Sequence, residues 1–148
     1  MARSRRSKKL MALLYLDIDD FKKINDSMGH AAGDDLLRSF SQRLLQCVRA
    51  SDTVARLGGD EFTVILENLS SRETAQSVVD KLMAALRRSF TTGDMDILAR
   101  ASIGIAYFTD EPIGADLLIK RADAALYEAK QRGRNDYWVH VPQAALVC

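Results

Sequence analysis

Thr53-Val54-Ala55-Arg56-Leu57-Gly58-Gly59-Asp60-Glu61-Phe62-Thr63-Val64-Ile65-Leu66 decides how the rest of the chain is read. Two β-prone runs, Thr53 to Leu57 and Phe62 to Leu66, flank Gly58-Gly59-Asp60-Glu61. Glycine supplies the positive φ of a tight turn, so the stretch predicts an antiparallel hairpin with an acidic tip. Upstream, Leu10 to Ile18 is a continuous apolar run ending in Asp17-Ile18-Asp19-Asp20, a central strand with acids at its carboxyl end. Phe21 to Met28 then reads as a helical turn or two, broken at Gly29-His30. Gly33-Asp34 opens a longer helix, with Leu36, Leu37, Phe40, Leu44, Leu45 and Val48 on the core stripe and Arg38, Gln42, Arg43 and Gln46 on the polar face. Downstream, Ser70 and Glu73 form a capping-box pattern before the amphipathic run Ala75, Val78, Val79, Leu82, Met83, Leu86. Gly93-Asp94 breaks the chain. Ala101, Ile103, Ile105 and Tyr107 alternate with the small residues Ser102, Gly104 and Ala106, the period of a strand. After Pro112 and Gly114, residues Leu117 to Ala129 trace a third long helix closed by Gly133, and Tyr137 to Val141 is a last strand. The order predicts an α+β fold, a mostly antiparallel central sheet with helices packed on it in two to three layers, with no internal repeat or linker.

The 148 residues are 47% hydrophobic and 28% charged, which excludes disorder, collagen-like repeats and coiled coil and predicts one globular domain spanning 1–148. Lys plus Arg number 21 against 20 Asp plus Glu, a net charge of +1. Such a balance gives no global field for nucleic acid or an anionic membrane, so any anionic ligand needs a local site. The basic start, Arg3 to Lys9, reads as a solvated lead into the first strand, and nucleic-acid binding is not expected from it. Leu10 to Leu16 is too short to span a bilayer, and no secretory signal is visible. Cys47, on an apolar stripe, and Cys148, at the end, make no disulfide framework and fit a reducing cytosol.

Asp17 at a strand end, with Asp60 and Glu61 at a hairpin tip, gathers carboxylates that repel unless a cation sits between them, and such oxygen ligands suit Mg²⁺. Strand ends and turns are often acidic for local reasons alone, and Asp19 and Asp20 taken singly need nothing more. The string Gly58 to Phe62 is different, since chance supplies it about once per million positions.

That string resembles the signature of the GGDEF family of diguanylate cyclases. Asp17 to Asp26 resembles the family's metal and nucleotide segment. Gly29-His30 with Gly33-Asp34, Ala55-Arg56, Ser102 to Ala106, Ala122-Asp123 with Ala125-Leu126-Tyr127, Ala129-Lys130 and Gly133-Arg134-Asn135 follow in family order. The resemblance covers about Leu10 to Asn135 and implies a ferredoxin-like, nucleotide-cyclase-like sandwich. It implies that Asp17, the Ile18 carbonyl, Asp60 and Glu61 hold two Mg²⁺ ions (Mn²⁺ being an alternative), with Asp60 and Glu61 catalytic in the loop opened by Gly58 and Gly59. Asn25 and Asp34 would read guanine, a carboxylate accepting from N1–H and the exocyclic amine. Lys130 and Arg134, four apart and so expected on one helical face, would grip phosphates with the main-chain amides near Asp20 and Phe21. Arg49 and Asp52 match an inhibitory site for the product, although alone they would pass for a surface pair at a helix end. His30 reads as structural rather than catalytic, and Tyr137 and Trp138 as packing.

The resemblance implies condensation of two GTP into cyclic di-GMP across a homodimer, in a bacterial cytoplasm, with cyclic di-GMP also a feedback ligand. A segment of the form Asp-x-Leu-Thr-x-Leu-x-Asn-Arg, expected before the first strand, is missing, so the chain reads as a fragment of a longer multidomain signalling protein. The alternative is a catalytically silent module that binds GTP or cyclic di-GMP. A related cyclase or polymerase palm of different base choice is disfavoured by Asn25 and Asp34.

Overall fold

The computed structural model describes residues 10–109 and 113–141. The basic start, Pro112 and Cys148 lie outside the described residues. Five strands form the main sheet: β1 (Leu10–Ile18), β2 (Thr53–Gly58), β3 (Glu61–Leu69), β6 (Ala101–Phe108) and β7 (Tyr137–Val139), in the order β2-β3-β1-β6-β7. β1 is central and antiparallel to both β3 and β6. The last strand pairs parallel with β6, the one parallel ladder described in an otherwise antiparallel sheet.

Helices cover both faces, which is why β1 is apolar along most of its length. Ala12, Leu14, Leu16 and Ile18 point one way, into a core shared with α2 (His30–Cys47) and α3 (Arg72–Leu86). Met11 and Leu13 point the other way, toward Leu118 and Ala122 of α4 (Ala115–Gln131). Gly104 lets α4 close on the sheet: a Cβ there would run into the Ala122 carbonyl oxygen and the Leu126 amide. The alternation of small residues in β6 is thus a close-packing surface, as its spacing predicts. Cys47 is buried, as expected of a small apolar filler.

The structure corrects four sequence expectations about elements. The long helix opens at His30, not at Gly33-Asp34, because Gly29 (φ 94°) alone breaks the chain and its carbonyl already accepts from Gly33 N. α1 (Phe21–Met28) precedes it as a short separate helix. Leu45 is 56% exposed and leaves the predicted core stripe. The cap of α3 is Ser71, whose hydroxyl accepts from Thr74 N at 3.2 Å, rather than Ser70 with Glu73. A small hairpin, β4 (Phe90–Thr92) and β5 (Met95–Ile97), stands where only a chain break was predicted. Three-residue strands carry too little periodicity to read. What anchors this one is Phe90, fully buried on Phe40 with ring centroids 5.9 Å apart, while Phe40 meets Phe62 at 5.0 Å. Arg43 locks the same corner. Its guanidinium lies 3.6 Å over the Phe90 ring and donates to the carbonyls of Ala85, Arg88 and Ser89, tying α2 to the chain where α3 ends.

Candidate active site

The β2–β3 hairpin turns through Gly59 (φ 52°) and Asp60, with Gly58 opposite Glu61. Arg56 steadies the tip by donating from Nε to the Gly59 carbonyl at 2.8 Å. Antiparallel register then sets Asp17 directly opposite Glu61. Like charges in that position repel, so the pair is held together by the fold at an electrostatic cost. Period-two alternation puts Tyr15 on the same face, where its hydroxyl donates to Glu61 Oε2 at 3.0 Å. Burial, then the Glu61 bond and charge, push the Tyr15 hydroxyl up to about 12, so it stays a donor throughout the physiological range.

Asp17 is almost buried at 6% exposure. Burial raises its carboxyl to about 6; Lys130 pulls it down, and the charges of Asp60 and Asp19 push it further up. Lys130 Nζ binds Asp17 Oδ2 from the last turn of α4. The second oxygen, Oδ1, is buried with no hydrogen-bond partner among the described residues. A buried carboxylate oxygen without a partner is costly unless something cationic completes it.

No group of three or more His, Cys, Asp or Glu among the described residues closes into a ready metal cage. Mg²⁺ does not require one, because it commonly takes one or two carboxylates and fills the remaining positions with water and substrate phosphate. The free Asp17 Oδ1, the opposed Glu61 and the neighbouring Asp60 fit that donor set, and the Ile18 carbonyl follows Asp17 directly in the chain.

The phosphate candidates converge by a different route from the one predicted. Lys130 and Arg134 do not share a helical face, because α4 ends at Gln131 and Gly133 (φ 117°) reverses the chain. Gly133 N donates to Lys130 O and Arg134 N to Ala129 O, the Schellman closure. Arg134 therefore leaves the turn toward the end of β1, 3.9 Å from Asp19 Oδ1. Asp20, φ 55°, caps α1, so the amides that follow it, including that of Phe21, head the helix as free donors. A cavity of 440 Å³ lies between the two turns, lined by Asp20, Ile24, Arg100 and Arg134 among others.

Asn25 sits where α1 meets α2. Its Nδ2 lies 2.9 Å from His30 Nδ1, and its Oδ1 lies against the Cα of Gly33, where a Cβ would collide with it. The residue next to Gly33 is Asp34, exposed at the mouth of a second 440 Å³ hollow shared with Leu37, Arg38, Ser41 and Arg56. His30 thus has a structural place, as expected, but specifically as the partner of Asn25, which its isolated position in sequence did not reveal.

Arg49 and Asp52 pair at 3.2 Å at the other end of the hairpin, about 20 Å from its tip by strand rise. The Asp52 side chain is 1% exposed and also accepts from the amides of Arg49 and Glu67. This pair is a built-in clamp between the α2–β2 loop and β3, and Arg49, half exposed, is its accessible half. A hollow of 590 Å³ under Trp138 and Arg132, between α4 and β7, holds none of the other candidate residues. Tyr137 and Trp138 pack as expected: Tyr137 accepts from Gln76 at 2.6 Å, and Arg132 lies 3.7 Å over the Trp138 ring.

The five-stranded sheet with helices on both faces and its acidic hairpin tip make a mixed α+β domain. The chain belongs to the family described as diguanylate cyclase, GGDEF domain, which it matches over residues 1–136. It is 39% identical over 133 residues to diguanylate cyclase A of Treponema denticola, covering 89% of this chain and 36% of that protein. It is 36% identical over 133 residues to the cyclic di-GMP phosphodiesterase PdeR of Escherichia coli, covering 90% of this chain and 20% of that protein. The chain therefore spans about a fifth to a third of the curated relatives it matches. Among solved structures, the GGDEF domain of TpbB (YfiN) from Pseudomonas aeruginosa superposes with a TM-score of 0.91 at 33% identity, over 99% of this chain and 86% of that one.

Proposed function

We propose that this domain is a diguanylate cyclase that condenses two GTP into cyclic di-GMP and two pyrophosphates. The observation that carries the reading is the buried, partnerless Asp17 Oδ1 set opposite Glu61 and beside Asp60. Nothing in the packing of an ordinary α+β domain calls for such an arrangement. Two Mg²⁺ ions (or Mn²⁺), when bound there, would neutralise charge developing on the triphosphate and acidify an attacking hydroxyl.

The chain's own residues do the rest. Asp34 and Asn25 select guanine, and adenine would leave the Asp34 carboxylate facing the wrong group. Lys130, Arg134 and the amides around Asp20 and Phe21 hold the phosphates. Asp17, Asp60, Glu61 and the Ile18 carbonyl supply the metal ligands. Each 3′-oxygen forms a bond to the α-phosphorus of the other GTP and loses its proton; the bond from that phosphorus to the bridging oxygen breaks, and pyrophosphate leaves with the electron pair. One domain presents one GTP, so the reaction needs a second copy facing the first, with product returning to Arg49 and Asp52 as the feedback ligand. The substrate is the GTP of a bacterial cytoplasm, where a longer parent protein would place this segment. Among the described residues no helix is long and apolar enough to cross a membrane.

Incubation with GTP and Mg²⁺, read by mass spectrometry, tests the reading. Cyclic di-GMP is expected from the wild type and none from Asp60→Ala; equal product from both would overturn it. The name of PdeR favours one second reading, a nucleotide-binding module that regulates a neighbour without turnover. Calorimetry supports that reading if GTP or cyclic di-GMP binds while a dimer-fused domain makes no product.

A further inference from the structure

Asp19 is 8% exposed and differs from Asp17 in having every oxygen occupied. Its Oδ1 accepts from the buried Ser102 hydroxyl at 2.7 Å and faces Arg134 Nη1 at 3.9 Å. Its Oδ2 accepts from the Asn135 amide at 2.9 Å, and its own amide donates to the Arg100 carbonyl at 2.8 Å. These partners come from β6, from the turn after α4 and from the loop before β6, so one carboxylate ties three separate segments to the end of β1.

The tied turn is strained. Arg134 (φ 64°) and Asn135 (φ 51°) are consecutive non-glycine residues in the left-handed region, an unfavourable conformation that persists only where the surroundings hold it. Asp19 imposes it from one side; Arg87 does so from the other, donating to Asn135 O at 2.8 Å and Asn135 Oδ1 at 3.3 Å. Immediately after Asp19 comes Asp20, also left-handed, whose turn heads α1. Asp19 therefore stands between the β1–α1 turn and the α4–β7 turn, the two walls of the 440 Å³ cavity.

We infer that Asp19 is a positioning residue, a brace that fixes the spacing of these two turns and so presents Arg134 to the phosphate chain of the nucleotide. Unlike Asp17, each of its oxygens already accepts a hydrogen bond from within the protein, so the brace needs no metal. The inference rests on the reading of Arg134 and the Asp20 and Phe21 amides as phosphate-binding groups. It predicts a defect graded by phosphate number and shared with Arg134.

The test is calorimetry with an α,β-methylene analogue of GTP, which cannot release pyrophosphate, alongside GDP and GMP. Asp19→Asn should weaken the triphosphate analogue about tenfold and GMP less than twofold, the loss of roughly one charge-assisted contact. Ser102→Ala, which removes one donor to the brace while leaving the carboxylate in place, should move affinity in the same direction by about threefold. In a double-mutant cycle with Arg134→Ala, the two losses should be strongly non-additive, because they act through one group. Additive losses, or equal weakening of GMP and the triphosphate analogue, would overturn the brace and leave Asp19 a purely structural residue. Arg134→Ala with no preferential effect on the triphosphate would instead overturn the phosphate reading itself.

Discussion

Asp17 shows what burial does to a carboxylate whose second oxygen meets no donor among the described residues. Its carboxyl is held up at about 6, above the ordinary value of 3.8, chiefly by burial. A raised carboxyl favours the protonated form, so its contribution to stability is complete below about pH 4 and is lost as pH rises through 6. At pH 7.5 the metal-free protein therefore carries an ionised, desolvated group at a cost of up to about 3 kcal/mol. Removing the charge should relieve it: Asp17→Asn is predicted to melt about 3 °C or more above wild type in metal-free buffer at pH 7.5, by differential scanning calorimetry. Mg²⁺ should stabilise wild type at pH 7.5 and progressively less below pH 6, where protons compete for the same oxygen. A magnesium shift of equal size at pH 5 and pH 7.5, or one retained by Asp17→Asn, would contradict the assignment.

The roles of single residues were unevenly legible in the sequence. Asp17, Asp60 and Glu61 could be grouped from strand ends and the hairpin, because register does the grouping. His30, Asp19 and Tyr15 could not, since each acts through specific partners far along the chain or across a break. Tyr15 alone left a signal, its period-two spacing from Asp17. His30→Ala, which frees the Asn25 amide, should weaken GTP binding about fivefold, the worth of one hydrogen bond. His30→Gln, which keeps an acceptor, should recover most of it; equal losses from the two substitutions in calorimetry would dismiss the contact.

Among the elements, α4 depends most on one position. Gly104 lies under its backbone with no room for a methyl group, so Gly104→Ala should cost about 3 kcal/mol, by forcing helix and sheet apart, and lower the melting temperature by several degrees. An unchanged melting temperature would mean that α4 does not sit as closely as described. At the far end of the hairpin, Arg49 and Asp52 should separate by experiment. Asp52→Ala removes a buried carboxylate that accepts from the amides of Arg49 and Glu67 and should cost about 2 kcal/mol. Arg49→Ala should cost less while abolishing any retention of cyclic di-GMP, as read by denaturant unfolding and calorimetry. Equal destabilisation by both would make the pair structural only.

Long elements were readable because strong periodicity and a glycine-rich turn left few alternatives. The β4–β5 hairpin escaped because its fixing contact, Phe90 on Phe40 beneath Arg43, is tertiary. The shared face of Lys130 and Arg134 failed for a related reason. Spacing of four implies one face only while the helix lasts, and Gly133 ends it between them.

For the whole molecule, the sheet brings Asp17, Glu61 and the β1–α1 and α4–β7 turns to the carboxyl end of β1, and leaves the Arg49–Asp52 clamp at the opposite end of the hairpin. On the proposed reading this is half of a reaction centre, and the other half must come from a second copy. Turnover should therefore follow the encounter of domains rather than their number, and linking two domains should replace a weak bimolecular step with a local one. The most direct measurement is cyclic di-GMP formed per domain from GTP and Mg²⁺ over a hundredfold range of protein concentration, beside the same domain fused to a strong dimeriser. The account predicts a specific rate that climbs with concentration toward a fused-dimer rate independent of it. Product that never appears, even from the fused dimer with its carboxylates intact, would contradict it.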